Sequence, residues 1–189
     1  FFIFEKYDGW WGCKRVSESL DFPQLILSRA GRFIPSLLDL SRSMAAFEVN
    51  KSIPPTSTII FEILVEGVPV FKDLNGLLNR SKDPCQCKDA YVIVHDLLPK
   101  DISTPFATRY KLARDYVERL GHPRVRLAPM IGTGSCEQVQ IEAEKIWARR
   151  SKDISDEGAI GKRWDAPYSE GKRNKDLIKV KSEVTLEME

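Results

Sequence analysis

Hydrophobic positions recur along this chain in short blocks, and their periods predict strands more often than helices. Phe1-Phe2-Ile3-Phe4, the turn-forming Asp8-Gly9 and then Trp10-Trp11 predict strand, loop and strand over residues 1–16. Residues 25–29 predict a short apolar strand ending in Ser28-Arg29. Leu37, Leu38 and Leu40, with Pro35 near the front, predict an amphipathic helix over 32–47, and Pro54-Pro55 breaks the chain after it. Thr58 to Val65 is β-branched and apolar apart from Glu62; Gly67 follows as a turn and Val68 to Phe71 as a hairpin partner. Ala90 to Leu98 predicts another strand, Phe106 to Leu120 a helix with a mixed charged face, Arg124 to Ala128 a strand and Gln138 to Lys152 a surface helix. Ala159-Ile160 between two glycines, Leu177 to Lys181 and Val184 to Met188 complete the strands. Helices fall between strands in irregular order, which predicts an α+β fold of antiparallel sheets flanked by helices, not a doubly wound one. The abrupt apolar start predicts further residues upstream of Phe1.

Composition narrows the class. With 189 residues, 42% hydrophobic and 30% charged, the chain excludes collagen-like, wholly disordered and membrane-span compositions. A formal charge of +2 predicts no polyanion partner by itself, so any basic surface has to come from uneven distribution. Four cysteines, without a secretory leader, predict reduced thiols in an intracellular protein. Cys85-x-Cys87 lacks the second Cys/His pair that a structural zinc site needs. No apolar run approaches the ~20 residues of a membrane helix, so no membrane partner is expected.

Four segments set charge where the pattern calls for burial: Lys6-Tyr7-Asp8-Gly9, Glu62 in IIFEILV, Glu157 with Lys162 in EGAIGK, and Lys179 with Lys181 in LIKVK. Taken singly, an acid in a strand is a hydrogen-bonded or edge group, and lysines two apart form a solvated strand face. A primary amine that attacks phosphorus has to be neutral, so a nucleophilic Lys6 needs its pKa lowered from ~10.4 by burial or by nearby cations. Lys179 and Lys181 alternate onto one side of a strand, where they could both disfavour the ammonium form of Lys6 and bind phosphates.

Together and in this order, the segments resemble the covalent nucleotidyltransferases: ATP-dependent DNA ligases, RNA ligases and mRNA capping enzymes. The resemblance runs through KYDG at Lys6, LSRAGRFIPSL at Leu27 to Leu37, Ile59 to Arg80, YVIVHDLLP at Tyr91 to Pro99, EGAIGK at Glu157 and LIKVK at Leu177. Within that family it looks most like the small DNA ligases of short-tailed bacteriophages. The resemblance implies an ATP-grasp-like ligase adenylation domain over 1–182, with 183–189 opening an oligonucleotide-binding barrel. It implies that Lys6 takes AMP through a phosphoramidate and passes it to a 5′-phosphate at a nick in duplex DNA, and that a chain lacking the barrel adenylates slowly and seals poorly.

The same resemblance gives the ATP/AMP site as Glu5, Lys6, Arg29, Glu62, His95, Lys162, Lys179 and Lys181, with Glu62 and Glu157 at Mg²⁺. Arg29 would lie on the ribose or on the phosphate being sealed, and His95 would stack on adenine, its alternative being a hydrogen-bonded core histidine. Two departures stand out. Trp11 occupies the slot where relatives carry an arginine, leaving that contact to Lys14 or Arg15, and Phe4 replaces an acid two residues before the lysine, with Glu5 beside it. Between Ile160 and Lys181 seven basic residues face three acids, which makes Lys172, Arg173 and Lys175 candidates for salt-sensitive DNA-backbone contacts. The expected state is a monomer, in the host cytoplasm if the source is viral. RNA joining, capping-type chemistry and an inactive nucleotide- or DNA-binding remnant remain open alternatives.

Overall fold

A computed structural model of the chain describes residues 1–21, 23–53, 57–68, 71–78, 87–149, 156–169 and 175–181. The strands pair into two sheets that belong to two separate units.

The larger unit comprises residues 9–128 and 165–168. Its elements are β2 (Trp10–Arg15), β3 (Leu27–Ser28), α1 (Leu38–Asn50), β4 (Thr58–Val65), α2 (Phe71–Leu78), β5 (Ala90–Leu98), α3 (Phe106–Leu120) and β6 (Val125–Leu127). The sheet runs β3-β2-β4-β5-β6, antiparallel except for the parallel β5–β6 pair. Burial drives this arrangement: Ile59, Phe61 and Ile63 of β4 and Val92 and Val94 of β5 are fully buried, each worth about 1.5–3 kcal/mol relative to exposure. α3 buries Phe106, Arg109, Ala113, Tyr116 and Leu120, the stripe of a one-faced helix, and stops where Gly121 adopts φ 61 and donates its N–H to the Val117 carbonyl.

Two expectations need correction here. Of the hairpin partner expected over Val68 to Phe71, residues 69 and 70 lie outside the described residues, and both edges of β4 are taken by β2 and β5. Phe71 instead opens α2, which buries Leu74 and Leu78 one turn apart while the Ser36 hydroxyl donates to the Leu77 and Leu78 carbonyls at 3.2 and 3.1 Å. The helix expected over 32–47 begins later, at Leu38 after a 3₁₀ turn Pro35–Leu37, because Arg32 and Phe33 are committed to pairing with β3.

The smaller unit comprises residues 1–8, 129–164 and 169–189, of which the described elements are β1 (Phe2–Tyr7), β7 (Met130–Thr133), α4 (Cys136–Arg149), β8 (Asp156–Lys162) and β9 (Leu177–Lys181). The sheet order is β7-β1-β8-β9, antiparallel throughout. α4 covers one face, where Ile3, Val139, Ala143, Ile146 and Ala159 form the core and Ile178 and Val180 pack against it. β7 carries no strong strand pattern; the free edge of β1 recruits it. The strand expected over Val184 to Met188, Cys85, and the loop residues Lys172 and Arg173 lie outside the described residues. No helix among the described residues is long and apolar enough to cross a membrane.

Candidate active site

Alternation along β1 separates its side chains: Ile3 faces the α4 core, whereas Lys6 comes out on the opposite face. The β1–β8 register breaks after Lys6, which pairs with Gly158 while Tyr7 pairs with Asp156, so Glu157 is the extra residue of a β-bulge. The bulge aims the Glu157 carboxylate at Lys6, and their side chains form an ion pair that is 12% and 22% exposed. Lys181 of β9 reaches the same Oε2 at 3.2 Å from its more exposed position. The glycine after Glu157 is required by geometry. Gly158 has φ 145, and a Cβ there would sit 2.1 Å from the Val180 carbonyl oxygen. On the other side Trp147 of α4 donates its indole N–H to the Glu157 carbonyl at 3.2 Å.

Two lysines join this face by register. Lys162 pairs with Phe2 and with Leu177, and Ile160 pairs with Lys179, so Lys162, Lys179 and Lys181 share the side on which Lys6 emerges. Lys179 and Lys181 are exposed, while the alternating Ile178 and Val180 turn to the core, as the spacing predicts. Glu5 alternates to the other face of β1 and accepts a hydrogen bond from the Tyr7 hydroxyl at 3.2 Å. Lys175 is exposed in the turn that leads into β9.

In the larger unit, Glu62 is partly exposed in an otherwise buried strand and pairs across the sheet with Trp11 on one side and Ile93 on the other. Gly9 lies against it: a Cβ at Gly9 would come within 2.9 Å of the Ile63 carbonyl oxygen and 3.1 Å of the Glu62 Cβ. Arg29 stands at the tip of a turn closed by the Gly31 N–H on the Ser28 carbonyl, and its guanidinium carbon lies 5.7 Å from the Trp11 ring centroid. His95 is the extra residue of a second bulge, since Ile60 pairs with Asp96 but Phe61 with Val94.

Lys14 is no substitute for the missing arginine. It is fully buried on the helix-covered face, where its ammonium meets Glu48 Oε2 at 2.6 Å and donates to the Ser17 hydroxyl and the Arg15 carbonyl, both at 3.1 Å. Burial holds its pKa below the usual lysine value, with Glu48 opposing the shift. Glu48 also accepts from the Tyr116 hydroxyl and the Ser17 N–H, both at 2.8 Å, and burial together with this carboxylate pushes the tyrosine pKa well up. Arg15 is exposed and alternates onto the Trp11 side of β2.

No protein-family model and no curated protein matches the chain. Solved structures do. The ATP-dependent DNA ligase of bacteriophage T7 in complex with ATP superposes with a TM-score of 0.68 at 20% identity, over 96% of this chain and 61% of that one. A Lig E DNA ligase gives 0.66 at 16% identity, again over 96% and 61%. An archaeal ATP-dependent RNA ligase gives 0.56 at 15% identity, over 88% and 40%. The chain has the α+β fold of ligase nucleotidyltransferase domains. It spans less than two thirds of the length of each of those proteins.

Within this ligase-type fold, the donor set around Glu157 is suited to a nucleotide-bound divalent ion rather than to a protein-caged one. Among the described residues no three His, Cys, Asp or Glu side chains converge on a metal position. One carboxylate beside lysines that attract phosphates fits the Mg²⁺ habit of binding through one or two carboxylates plus substrate oxygens. The sequence missed Trp147 and the Val180 carbonyl, which hold the bulge in place. A tryptophan in an amphipathic helix carries no sign of its partner, and a backbone carbonyl carries none at all.

Proposed function

We propose that this chain is the adenylation domain of an ATP-dependent DNA ligase. The observation that carries the reading is Lys6 ion-paired to the bulged Glu157, with Lys181 on the same carboxylate, inside a ligase-type fold. The amine is a nucleophile only once its proton is lost, and Glu157, ion-paired to it, is the group beside it that can take that proton. The Lys6 Nζ lone pair then forms a bond to the α-phosphorus of ATP as the bond to pyrophosphate breaks. A DNA 5′-phosphate oxygen takes the AMP next and releases the lysine, and a 3′-hydroxyl finally displaces AMP to close the strand.

Lys162, Lys179 and Lys181 hold phosphate oxygens from one sheet face. Glu62, Arg29 and His95 serve the ribose, a phosphate and adenine, roles that rest on the resemblance of the sequence motifs. Glu157, and Glu62 by the same resemblance, would hold Mg²⁺, which when bound offsets the charge on the departing pyrophosphate.

Incubation with α-labelled ATP and Mg²⁺ tests this directly. Acid-labile label on the wild-type chain and none on Lys6→Ala is expected; a folded wild-type chain that takes no label refutes it. A second reading, joining of RNA ends, is favoured by the archaeal RNA ligase that shares the fold. Comparing nicked DNA with RNA ends as AMP acceptors separates the two.

A further inference from the structure

The β8–β9 hairpin closes on a doubly bonded pair. The Arg163 N–H donates to the Asp176 carbonyl at 2.9 Å, and the Arg163 guanidinium meets the Asp176 carboxylate at 3.0 Å. One residue further out on each side stand Trp164 and Lys175, both exposed, and one residue inward Lys162 pairs with Leu177. Trp164 is 56% exposed and Leu177 is 40% exposed. Trp164 leaves a large ring in water next to the Arg163–Asp176 pair, with Lys162 two residues before it in the chain and Lys175 on the other side of that pair, which combines a flat apolar face with cationic neighbours.

That combination matches one ligand chemistry. A nucleic-acid strand offers a flat base for the ring and phosphates at regular intervals for the lysines, and base–aromatic stacking next to cationic side chains is how unpaired nucleotides are held without sequence preference. An acidic peptide would use the lysines but leave the indole without a planar partner. We propose that Trp164 stacks on an unpaired base of a nucleic-acid strand while Lys175 contacts a phosphate of the same strand. The inference rests on the ligase reading for its choice of partner, and its test does not depend on catalysis.

The full chain is titrated against a short fluorescein-labelled single-stranded oligonucleotide, following anisotropy at several salt concentrations. Trp164→Ala is expected to weaken binding about 5- to 150-fold, as loss of one stacked base does, with the salt slope unchanged. Trp164→Phe should recover most of that loss. Lys175→Ala should flatten the slope of log K against log salt by about 0.7, the signature of one phosphate contact. Equal affinities for wild type and Trp164→Ala, an unchanged slope for Lys175→Ala, or no binding by the wild-type chain each overturn the proposal. Label on Lys6 in the adenylation assay would still stand in all three cases, so the two readings fail separately.

Discussion

Gly158→Ala tests whether the bulge builds the candidate site around Lys6. At φ 145 an alanine carries backbone strain of about 1–3 kcal/mol. Its Cβ would also sit 2.1 Å from the Val180 carbonyl oxygen, where carbon and oxygen normally keep at least about 3.3 Å. The neighbour is backbone and has no rotamer to move into, so β9 has to shift away from β8 by roughly an ångström. That breaks one or two ladder hydrogen bonds at about 1 kcal/mol each, for a total loss of about 2–5 kcal/mol. The shift also carries Lys181 away from Glu157, now 3.2 Å apart. Two other glycines isolate the components. Gly67 has φ 77 with open space around it, so Gly67→Ala should lose only the strain, about 1–2 kcal/mol. Gly76 lies inside α2 with nothing near it, so Gly76→Ala should gain about 0.5–1 kcal/mol. Urea unfolding of the three variants gives the ranking, and α-labelled ATP gives the effect on adduct formation. A Gly158→Ala chain no less stable than Gly67→Ala, or one that labels at the wild-type rate, would refute the reasoning.

Lys14→Met leaves Glu48 buried and charged without its cation, and should lower stability by about 3–5 kcal/mol in the same unfolding measurement. A loss below about 1 kcal/mol would mean the network is not closed in solution. His122 is buried with Nδ1 accepting from the Arg124 N–H at 3.1 Å and Nε2 at 2.9 Å from the Ser43 hydroxyl, and burial followed by Arg124 pulls its pKa down to about 4. The folded state therefore binds fewer protons than the unfolded one between pH 6.5 and 4, so stability is full above pH 6.5 and falls by up to about 3 kcal/mol on the way down. His122→Asn should remove that slope, and parallel slopes for the two proteins would count against a neutral, buried imidazole.

Much of the candidate site was legible along the chain because its information is local. Lys179 and Lys181 share a face because strands alternate, and Glu62 stands out because seven apolar or β-branched neighbours surround it. The hairpin expected after Gly67 meets a non-local obstacle: a run of residues cannot report that both edges of β4 are occupied by segments from elsewhere in the chain. Lys14 was misjudged in the same way. Its neighbours in sequence, Cys13 and Arg15, do not mark it for burial, and only α1, 34 residues on, supplies the carboxylate that pairs with it.

Residue order by itself determined the periods, the α+β class and the set of charged groups placed against the hydrophobic pattern, all of which depend on neighbours a few positions apart. Tertiary structure alone decided that Glu157 is the bulged residue, that Val180 leaves room only for a glycine beside it, and that Lys6 and Lys181 meet on one carboxylate. Those contacts join β1, β8 and β9 across more than 150 residues, and strand register, which sets them, is a property of the paired sheet.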